Sequence, residues 1–276
     1  MITKDKVTEI FCIIDEFCKH LHVELAKNLQ LPSHDGKGKL CRNRKGRLSD
    51  SEIMTILLCY HFGTYRNFKE YYLNCIHGQL RQEFPDAVSY NRFVELMPRV
   101  FFHLMAFMKI YAFGRCSGIS FVDSTMIPVC HNVRRYFNKV FAGLARSGKG
   151  TMGWCHGFKL HLLCNDTGEI ITFCLTPANV DDRDKRVWSV FTKVLYGKVF
   201  ADRGYIKQEL FGHLFDKGIH LVHGLKARMK NKLMPMWDRI MLRKRYIIEC
   251  INELLKNKAN LVHSRHRSVH NFIMNL

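Results

Sequence analysis

The pattern of apolar and polar positions predicts a helical first third of the chain. Over residues 5–30 the apolar side chains recur at helical spacing, at Ile10, Ile13, Ile14, Phe17, Leu21 and Leu25. Ser49 and Glu52 have the spacing of a capping box and predict a helix to about Phe62. A second helix is predicted to about Ile76, and a third begins after Ser89 as its N-cap. Three short helices with tight turns favour a helix-turn-helix domain that reads DNA.

From residue 117 the pattern changes to short apolar strands alternating with helices. Helices are expected over residues 181–195, 206–218 and 237–258, and Asp166-Thr167-Gly168 forms a hairpin turn. Five strands are predicted, over residues 118–130, 157–166, 168–179, 197–205 and 219–226. This order predicts an α/β domain, residues 116–276, with a mixed five-stranded sheet flanked by helices. An all-α domain, residues 1–115, precedes it.

The charge of the chain points to a polyanionic partner. Its 276 residues are 47% hydrophobic, enough for a sizeable core in one or two domains, yet the formal net charge is +19. Nucleic acid is favoured over a membrane surface because no basic amphipathic helix stands alone; the alternative is a generally basic cytosolic protein. One basic segment contains Lys37, Lys39, Arg42, Arg44, Lys45 and Arg47. It is either a solvated linker or an arm that contacts DNA phosphates.

Cysteine usage and hydropathy favour a cytoplasmic protein with reduced thiols and no membrane segment. The eleven cysteines are odd in number and include no CxxC pair, unlike a secreted disulfide scaffold. Acidic residues within positions 1–20 argue against a signal peptide, and the apolar stretch 100–113 is too short to span a bilayer. Cys12, Cys18, His20 and His22 fit no common tetrahedral zinc spacing, so we expect no zinc site there.

Two aspartates lie where the pattern predicts the ends of buried strands. Asp123 follows the apolar run Ile119–Val122, and Asp202 closes the run KVFA. An unpaired buried charge costs several kcal/mol, so each carboxylate needs a partner, a strand end or a metal. Carboxylates at strand ends of α/β folds face functional crevices, and Mg²⁺ takes such ligands. Neighbouring strands ending in Asp123 and Asp202 could therefore hold a divalent cation together.

A third carboxylate, Glu249, lies on the last long helix. At about 100° per residue one face is polar, with Arg245, Glu249, Glu253 and Lys256, and the opposite face is apolar, with Ile240, Ile247, Ile251 and Leu254. Judged on this helix alone, an ordinary solvated face with weak ion pairs is favoured.

Other polar and aromatic residues receive structural interpretations. Asp181 and Asp182 are interpreted as the N-cap and first-turn acids of a helix. Trp154 and Trp237 are interpreted as core residues; the alternative, which is less favoured, is that they stack on DNA bases.

Four motifs together resemble those of the DDE transposases of short bacterial insertion sequences. In order they are VDST (122–125), LTPANVDDR (175–183), ADRGY (201–205) and Arg245-x3-Glu249-x6-Lys256. The last is similar to the family's Y-x2-R-x3-E-x6-K signature, with Leu242 in place of tyrosine. The resemblance covers about residues 117–262, the helical first third is also similar to such enzymes, and a ribonuclease-H-like fold is implied.

The resemblance implies roles for specific residues. Asp123, Asp202 and Glu249 would be the catalytic acids and would bind two Mg²⁺ or Mn²⁺ ions, while Arg245 and Lys256 would hold DNA phosphates. The implied reaction is cleavage at the element ends followed by joining of the 3′-hydroxyl to target DNA. The implied partners are double-stranded terminal inverted repeats and target DNA, bound by a homodimer or higher oligomer associated with the nucleoid.

Three alternatives stay open at this point: a catalytically inactive DNA-binding remnant, another ribonuclease-H-like nuclease, and a basic structural protein. The intact acids argue against the first, and TPANVDDR with the Arg-Glu-Lys helix argues against the second. The last residues, HNFIMNL, lie in an apolar helical pattern where similar enzymes usually continue, so a shortened copy is expected.

Overall fold

The computed structural model describes residues 2–28, 46–63, 65–150, 153–225, 233–262 and 266–276. The chain forms two compact units, one of Met1–Ile110 with His270–Leu276 and one of Tyr111–Val269. In the described part of the chain, no helix is both long and apolar enough to cross a membrane. Five of the predicted phosphate-contacting residues, Lys37, Lys39, Arg42, Arg44 and Lys45, lie outside the described residues. Their role, and the separate functions assigned to residues 1–115 and 116–276, stay predictions.

The first unit is helical, as predicted. Its helices are α1 (Lys4–Asn28), α2 (Asp50–Phe62), α3 (Phe68–Tyr71) with a π-helical continuation (Tyr72–Gln79), α4 (Tyr90–Leu96), a 3₁₀-helix (Met97–Val100) and α5 (Phe101–Phe107), before a second π-helix (Met108–Ala112). Tyr71, Tyr72 and Phe93 are fully buried at its centre. Both tyrosine hydroxyls donate to backbone carbonyls, so these aromatic rings are buried without leaving a polar group unpaired.

The predicted capping box at the start of α2 is confirmed. Ser49 Oγ accepts from the Glu52 backbone N–H at 3.1 Å, and Glu52 Oε2 accepts from the Ser49 N–H at 2.7 Å. Two backbone donors at the helix start are thereby satisfied. Ser89 precedes α4 as predicted, but its described side chain makes no capping hydrogen bond.

The second unit is built on a mixed sheet. Its strands are β1 (Ile119–Cys130), β2 (Arg146–Gly150), β3 (Gly153–Asn165), β4 (Ile170–Pro177), β5 (Gly197–Ala201) and β6 (Ile219–His223). The order is β2-β3-β1-β5-β6, with β4 also paired to β3. β3 runs antiparallel to its neighbours, whereas β1, β5 and β6 run parallel. The predicted mixed α/β fold with helices flanking the sheet is confirmed, and its ribonuclease-H-like classification stays what the resemblance implies.

The described sheet has six strands where the sequence predicts five, because β2 is not foreseen. Its sequence, RSGKG, lacks the β-branched and aromatic residues that favour strands. The strand forms where backbones approach closely, since a Cβ on Gly148 would lie 2.0 Å from the Ala178 carbonyl oxygen.

Helices cover both faces of the sheet. They are α6 (Lys185–Phe191), α7 (Gln208–Phe215), α8 (Met236–Lys244) and α9 (Tyr246–Asn257). The last helix, α10 (Val269–Asn275), does not belong to this set, because residues 270–276 are part of the first unit. The buried Trp188 of α6 and Leu214 of α7 share one core with Val122 of β1. On the other face, Phe121 and Phe200 lie 5.8 Å apart between ring centroids, and Trp237 of α8 packs 6.0 Å from Phe200.

Three structural interpretations from the sequence are wrong. Trp154 and Trp237 are 63% and 43% exposed, and the fully buried tryptophan is Trp188. Asp181 and Asp182 do not cap α6, because the N-cap is Asp184, whose carboxylate accepts from the Arg186 N–H.

The third concerns the predicted helix 237–258, which is two helices with a break at Arg245. The predicted apolar face is also wrong: α9 buries Ile248 and Asn252, while Ile240 and Leu254 are exposed. The helix thus turns part of its polar face toward the sheet, because Arg245 and Asn252 both contact a carboxylate on β1.

A buried polar group lies on β3. The His161 side chain is fully buried, with Nε2 2.9 Å from Thr176 Oγ1 and Nδ1 3.4 Å from Asp182 Oδ1. The pKa of His161 is lowered to about 4, chiefly by burial and also by the charge of Lys159, against the opposing charges of Asp182 and Asp184. The imidazole is therefore neutral in the folded protein at neutral pH.

The capping box gives a direct stability test. Ser49→Ala should lower the free energy of unfolding by about 1 kcal/mol, since it leaves helix-start N–H groups unpaired. Ser89→Ala is the matched control and should change it much less. Urea unfolding followed by circular dichroism measures both; equal losses would mean that the box contributes nothing specific.

His161 should make the protein sensitive to mild acid. Its folded pKa of about 4 lies below the unfolded value of about 6.5, so below pH 6.5 the unfolded chain binds a proton that the folded protein does not. The free energy of unfolding should therefore fall between pH 6.5 and 4, by an amount on the order of 2 kcal/mol. His161→Gln should flatten this dependence in urea titrations, whereas a control at the exposed His131 should not. An unchanged slope in His161→Gln would contradict the assignment.

Candidate active site

Two of the three predicted acids lie at the end of the parallel pairing between β1 and β5. Phe121 pairs with Phe200, and two residues further along each strand come Asp123 and Asp202. Asp202 is still in extended conformation, with φ −69° and ψ 165°. Neighbouring strands lie about 4.8 Å apart and residues two positions apart share a face. Both aspartates thus follow the paired residues by two positions, and the Asp202 carboxylate accepts the Arg203 backbone N–H at 2.6 Å as the N-cap of a 3₁₀-helix.

The parallel pairing depends on two glycines in a left-handed conformation. Gly118 has φ +88° and Gly197 has φ +77°. A Cβ on Gly197 would lie 2.4 Å from the Gly118 carbonyl oxygen, which accepts the Lys198 N–H at 2.8 Å. Only glycine combines this backbone conformation with this approach. The glycines thereby fix the start of the pairing that leads to the two aspartates.

Asp123 is a largely buried carboxylate with three stabilising partners. Asn252 Nδ2 donates to its Oδ2 at 2.8 Å, and Arg245 Nη1 lies 3.8 Å from its Oδ1. Burial raises the pKa of Asp123; the charge of Arg245, the Ser124 backbone N–H and Asn252 lower it, and Glu249 raises it. Loss of the contact with Arg245, Asn252 or the Ser124 N–H would raise the pKa of Asp123 and favour its protonated form.

Glu249 joins this group through the same guanidinium. Arg245 Nη2 donates to Glu249 Oε1, one helical turn away, so Arg245 bridges Glu249 and Asp123. The Glu249 side chain is 54% exposed and the Arg245 side chain only 17%. The structure thus brings one predicted acid from α9 to the same cation as the acid on β1.

The candidate donors are all oxygens, but in the described part of the chain Asp123, Asp202 and Glu249 do not have carboxylate oxygens that all lie within 4.8 Å of one another. The three carboxylates supply oxygen ligands, and the buried Asn252 Oδ1 beside Asp123 has no hydrogen-bond partner among the described residues. The Arg245 guanidinium lies between Asp123 and Glu249 and balances their negative charge. Oxygen ligands of this kind suit Mg²⁺ or Mn²⁺ better than softer metals.

Two of the other predicted phosphate contacts, Lys256 and Arg47, lie within the described residues. Lys256 is half-buried on α9, two turns beyond Glu249. Arg47 belongs to the first unit, is exposed, and has its Nη2 3.9 Å from Asp86 Oδ1.

Sequence reasoning missed two residues that support the acids. Asn252 follows Arg245 by seven residues, a spacing that places both on one helix face and could have identified it. Tyr205, the last residue of ADRGY, is buried; burial raises its pKa well above the usual range, and the charges of Asp182 and Asp123 add to the rise. Tyr205 therefore stays protonated between two aspartates. Asp182 in turn lies 3.2 Å from Lys159 Nζ.

An exposed aromatic and basic surface follows β1. It consists of Arg134, Arg135, Tyr136, Phe137 and Trp154, and we call it the aromatic–basic surface. Tyr136 and Phe137 are more than four-fifths exposed, and the Arg135 guanidinium lies 4.6 Å from the centroid of the Tyr136 ring. Asn132, in the same 3₁₀-helix, donates to the Trp154 carbonyl and ties the two parts together.

Comparisons with known proteins place this site in a family. A profile described as "Transposase DDE domain" matches residues 113–269, more than half of the chain. Among solved structures, "Crystal structure of a pre-cleavage Mos1 transpososome" aligns at a TM-score of 0.29 and 12% identity, over 98% of this chain and 88% of that chain. "Mos1 transposase paired-end complex with left transposon end" aligns at 0.24 and 14%, over 80% and 78%.

A search of the curated proteins found no match. The profile spans the strands and the helix that carry Asp123, Asp202 and Glu249. By this match the chain belongs to the transposase DDE domain family.

Proposed function

We propose that this protein is the DNA transposase of an insertion sequence, which cleaves phosphodiester bonds at the element ends and joins the freed 3′-hydroxyls to target DNA. The observation that carries the proposal is the grouping of the acids: Asp123 and Asp202 follow neighbouring parallel strands, and Arg245 links Asp123 to Glu249. Family membership supplies the class of reaction.

The proposed reaction has two steps at one site. In the first, a water oxygen attacks the phosphorus at the element end, and the bond to the 3′-oxygen breaks to leave a free 3′-hydroxyl. In the second, that hydroxyl attacks a phosphorus of target DNA; a new phosphodiester joins the element to the target, and the bond from that phosphorus to the target 3′-oxygen breaks to leave a 3′-hydroxyl on the target strand. Neither step needs a covalent protein–DNA intermediate, so no serine or tyrosine nucleophile is required.

Asp123, Asp202 and Glu249 would hold the divalent ions, Mg²⁺ or Mn²⁺ and two in number. Bound there, such ions supply the positive charge that stabilises the attacking and leaving oxygens of an in-line displacement. The protein's own residues orient the acids. The Asn252 amide fixes one oxygen of Asp123, and Arg245 holds Glu249 toward it.

DNA contacts would come from the basic and aromatic residues around the acids. In the aromatic–basic surface, Arg134 and Arg135 are exposed and suited to phosphates, while the exposed rings of Tyr136 and Phe137 are suited to stacking on unpaired bases. Lys256 and the basic segment 37–47 add to the same charge. A homodimer or higher oligomer would hold two element ends and the target, in the nucleoid.

Neutralising each acid tests the chemistry. Asp123→Asn, Asp202→Asn and Glu249→Gln should each lower nicking by about 10³-fold or more, because several kcal/mol of charge stabilisation are lost and each ~1.4 kcal/mol is tenfold. The substrate is a supercoiled plasmid carrying the DNA that flanks the gene on both sides, with Mg²⁺ present. All three variants should still shift this DNA in gels.

The matched control is Glu253→Gln, on the exposed side of the same helix as Glu249. It should nick at the wild-type rate, and excess chelator should stop nicking by the wild-type protein. Full activity of Asp202→Asn, or cleavage in chelator, would show that the chemistry does not use these carboxylates.

The aromatic–basic surface gives a separate test of DNA binding. Replacing Arg134 and Arg135 together by alanine should weaken binding and lower the slope of log affinity against log salt by about 2, since each phosphate contact contributes about 0.9. The charge-matched control replaces Lys185 and Lys193, both exposed on or just after α6. Fluorescence anisotropy over a salt series measures both; identical slopes in the two double variants would exclude this surface from the DNA contacts.

A further inference from the structure

Three helices of the first unit bring two histidines and an aspartate together. They are His22 of α1, Asp50 at the start of α2 and His103 of α5. His22 Nε2 lies 3.2 Å from His103 Nε2, and Asp50 Oδ2 lies 3.7 Å from the first and 4.0 Å from the second. These residues are far apart in sequence, so helix packing alone assembles the group.

The size of this triangle matches that of a metal site. For these three separations, the point equidistant from all three atoms lies about 2.1 Å from each. Zinc binds histidine nitrogen at about 2.0–2.1 Å and carboxylate oxygen at about 2.0–2.2 Å. The three atoms are thus already spaced for a common cation.

Hydrogen bonding within the group accounts for only part of this arrangement. One imidazole could donate to the other across 3.2 Å, since the roles depend on the tautomers. The Asp50 Oδ2 distances of 3.7 and 4.0 Å are too long for a hydrogen bond to either ring. A direct bond explains two atoms, whereas a central cation explains all three.

The surroundings hold Asp50 in place. Arg99 Nε donates to Asp50 Oδ1 at 2.6 Å, which leaves Oδ2 directed at the histidines, as outer partners do for metal-binding carboxylates. Burial lowers the pKa of His103, as do His22 and Arg99, against the opposing charge of Asp50. A neutral imidazole has the free lone pair that a metal requires.

One side of the group is open. The Asp50 and His103 side chains are 15% and 13% exposed, whereas His22 is 54% exposed. Water can therefore fill a fourth position, as in sites with three protein ligands.

We propose that His22, Asp50 and His103 bind one divalent transition metal of the zinc class, which ties α1, α2 and α5 together. The mixed nitrogen and oxygen ligands separate this site from the all-oxygen acids of the second unit, because imidazole selects zinc-like ions over Mg²⁺. The inference does not depend on the proposed transposase reaction.

Metal titration of the full-length protein tests this site. The chain carries Asp123→Asn and the buffer contains excess Mg²⁺, so that the acids do not compete for the probe. After removal of metals with EDTA and dialysis, Zn²⁺ followed by calorimetry should bind with one equivalent that depends on His22. The melting temperature should rise with Zn²⁺ concentration, because an ion that binds the folded state stabilises it. Binding should weaken in acid, where protons compete for both imidazoles.

The test variant is His22→Gln, and the matched control is His20→Gln, an exposed histidine on the same helix. Loss of a direct ligand should weaken this equivalent by more than ~100-fold, beyond the 10–100-fold effect of an outer partner. The control should bind as the parent does, and all three proteins should melt at the same temperature in EDTA. Equal Zn²⁺ affinity in parent and His22→Gln, or equal loss in both variants, would overturn the proposal. Co²⁺ spectra dominated by a sulfur charge-transfer band would overturn it as well, since they would assign the metal to cysteines.

Discussion

The arrangement of the second unit depends on the electrostatic need of one carboxylate. Asp123 lies on a central strand where burial raises its pKa, and a charged group there is stable only beside opposite charge. Arg245 supplies that charge and extends it to Glu249. This need explains why α9 turns Asn252 inward while Leu254 is exposed, and why the last long helix breaks at Arg245. The ion pairs of Arg245 with Asp123 and Glu249 therefore determine how α9 packs on the sheet, and they also link two of the proposed catalytic acids.

The two faces of the sheet make different kinds of contact with the helices that cover them. On the face of α6 and α7 the contacts are apolar around Trp188, with His161, Lys159 and Asp182 forming a polar group at one side. On the face of α8 and α9, Phe121 packs against Phe200. Two residues further along each strand come Asp123 and Asp202. Tyr205 contributes to both, since the charges of Asp182 and Asp123 each act on its hydroxyl. The first face stabilises the unit, and the second carries the carboxylates that we propose act in catalysis.

Sequence reasoning identified what local patterns encode. The capping box at Ser49, the alternation of β1 and the mixed sheet follow from side-chain periodicity and turn chemistry. It failed where distant contacts override local preference: RSGKG forms a strand through close backbone approach, and α9 faces the sheet with residues that look solvent-facing. For the candidate site, Asp123 and Asp202 were singled out by their place at predicted strand ends and Glu249 by motif resemblance, and their catalytic role stays a prediction. Asn252 required knowledge of which helix face meets β1. The His22, Asp50 and His103 group lacks any local spacing and appears only once three helices pack.

The close approach of Gly118 and Gly197, at the start of β1 and β5, fixes the register between the two strands. Asp123 lies five residues after Gly118, and Asp202 lies five residues after Gly197. At about 3.3 Å per residue, each aspartate lies roughly 16 Å along its strand from the glycine contact. Because a one-residue slip of a strand moves its side chains to the opposite face, this contact decides whether Asp123 and Asp202 follow the two strands on the same face of the sheet. The register of the strands that lead to the two acids is thus determined at the end remote from them. There, the single methyl group of an alanine in place of Gly197 would collide with the Gly118 carbonyl oxygen.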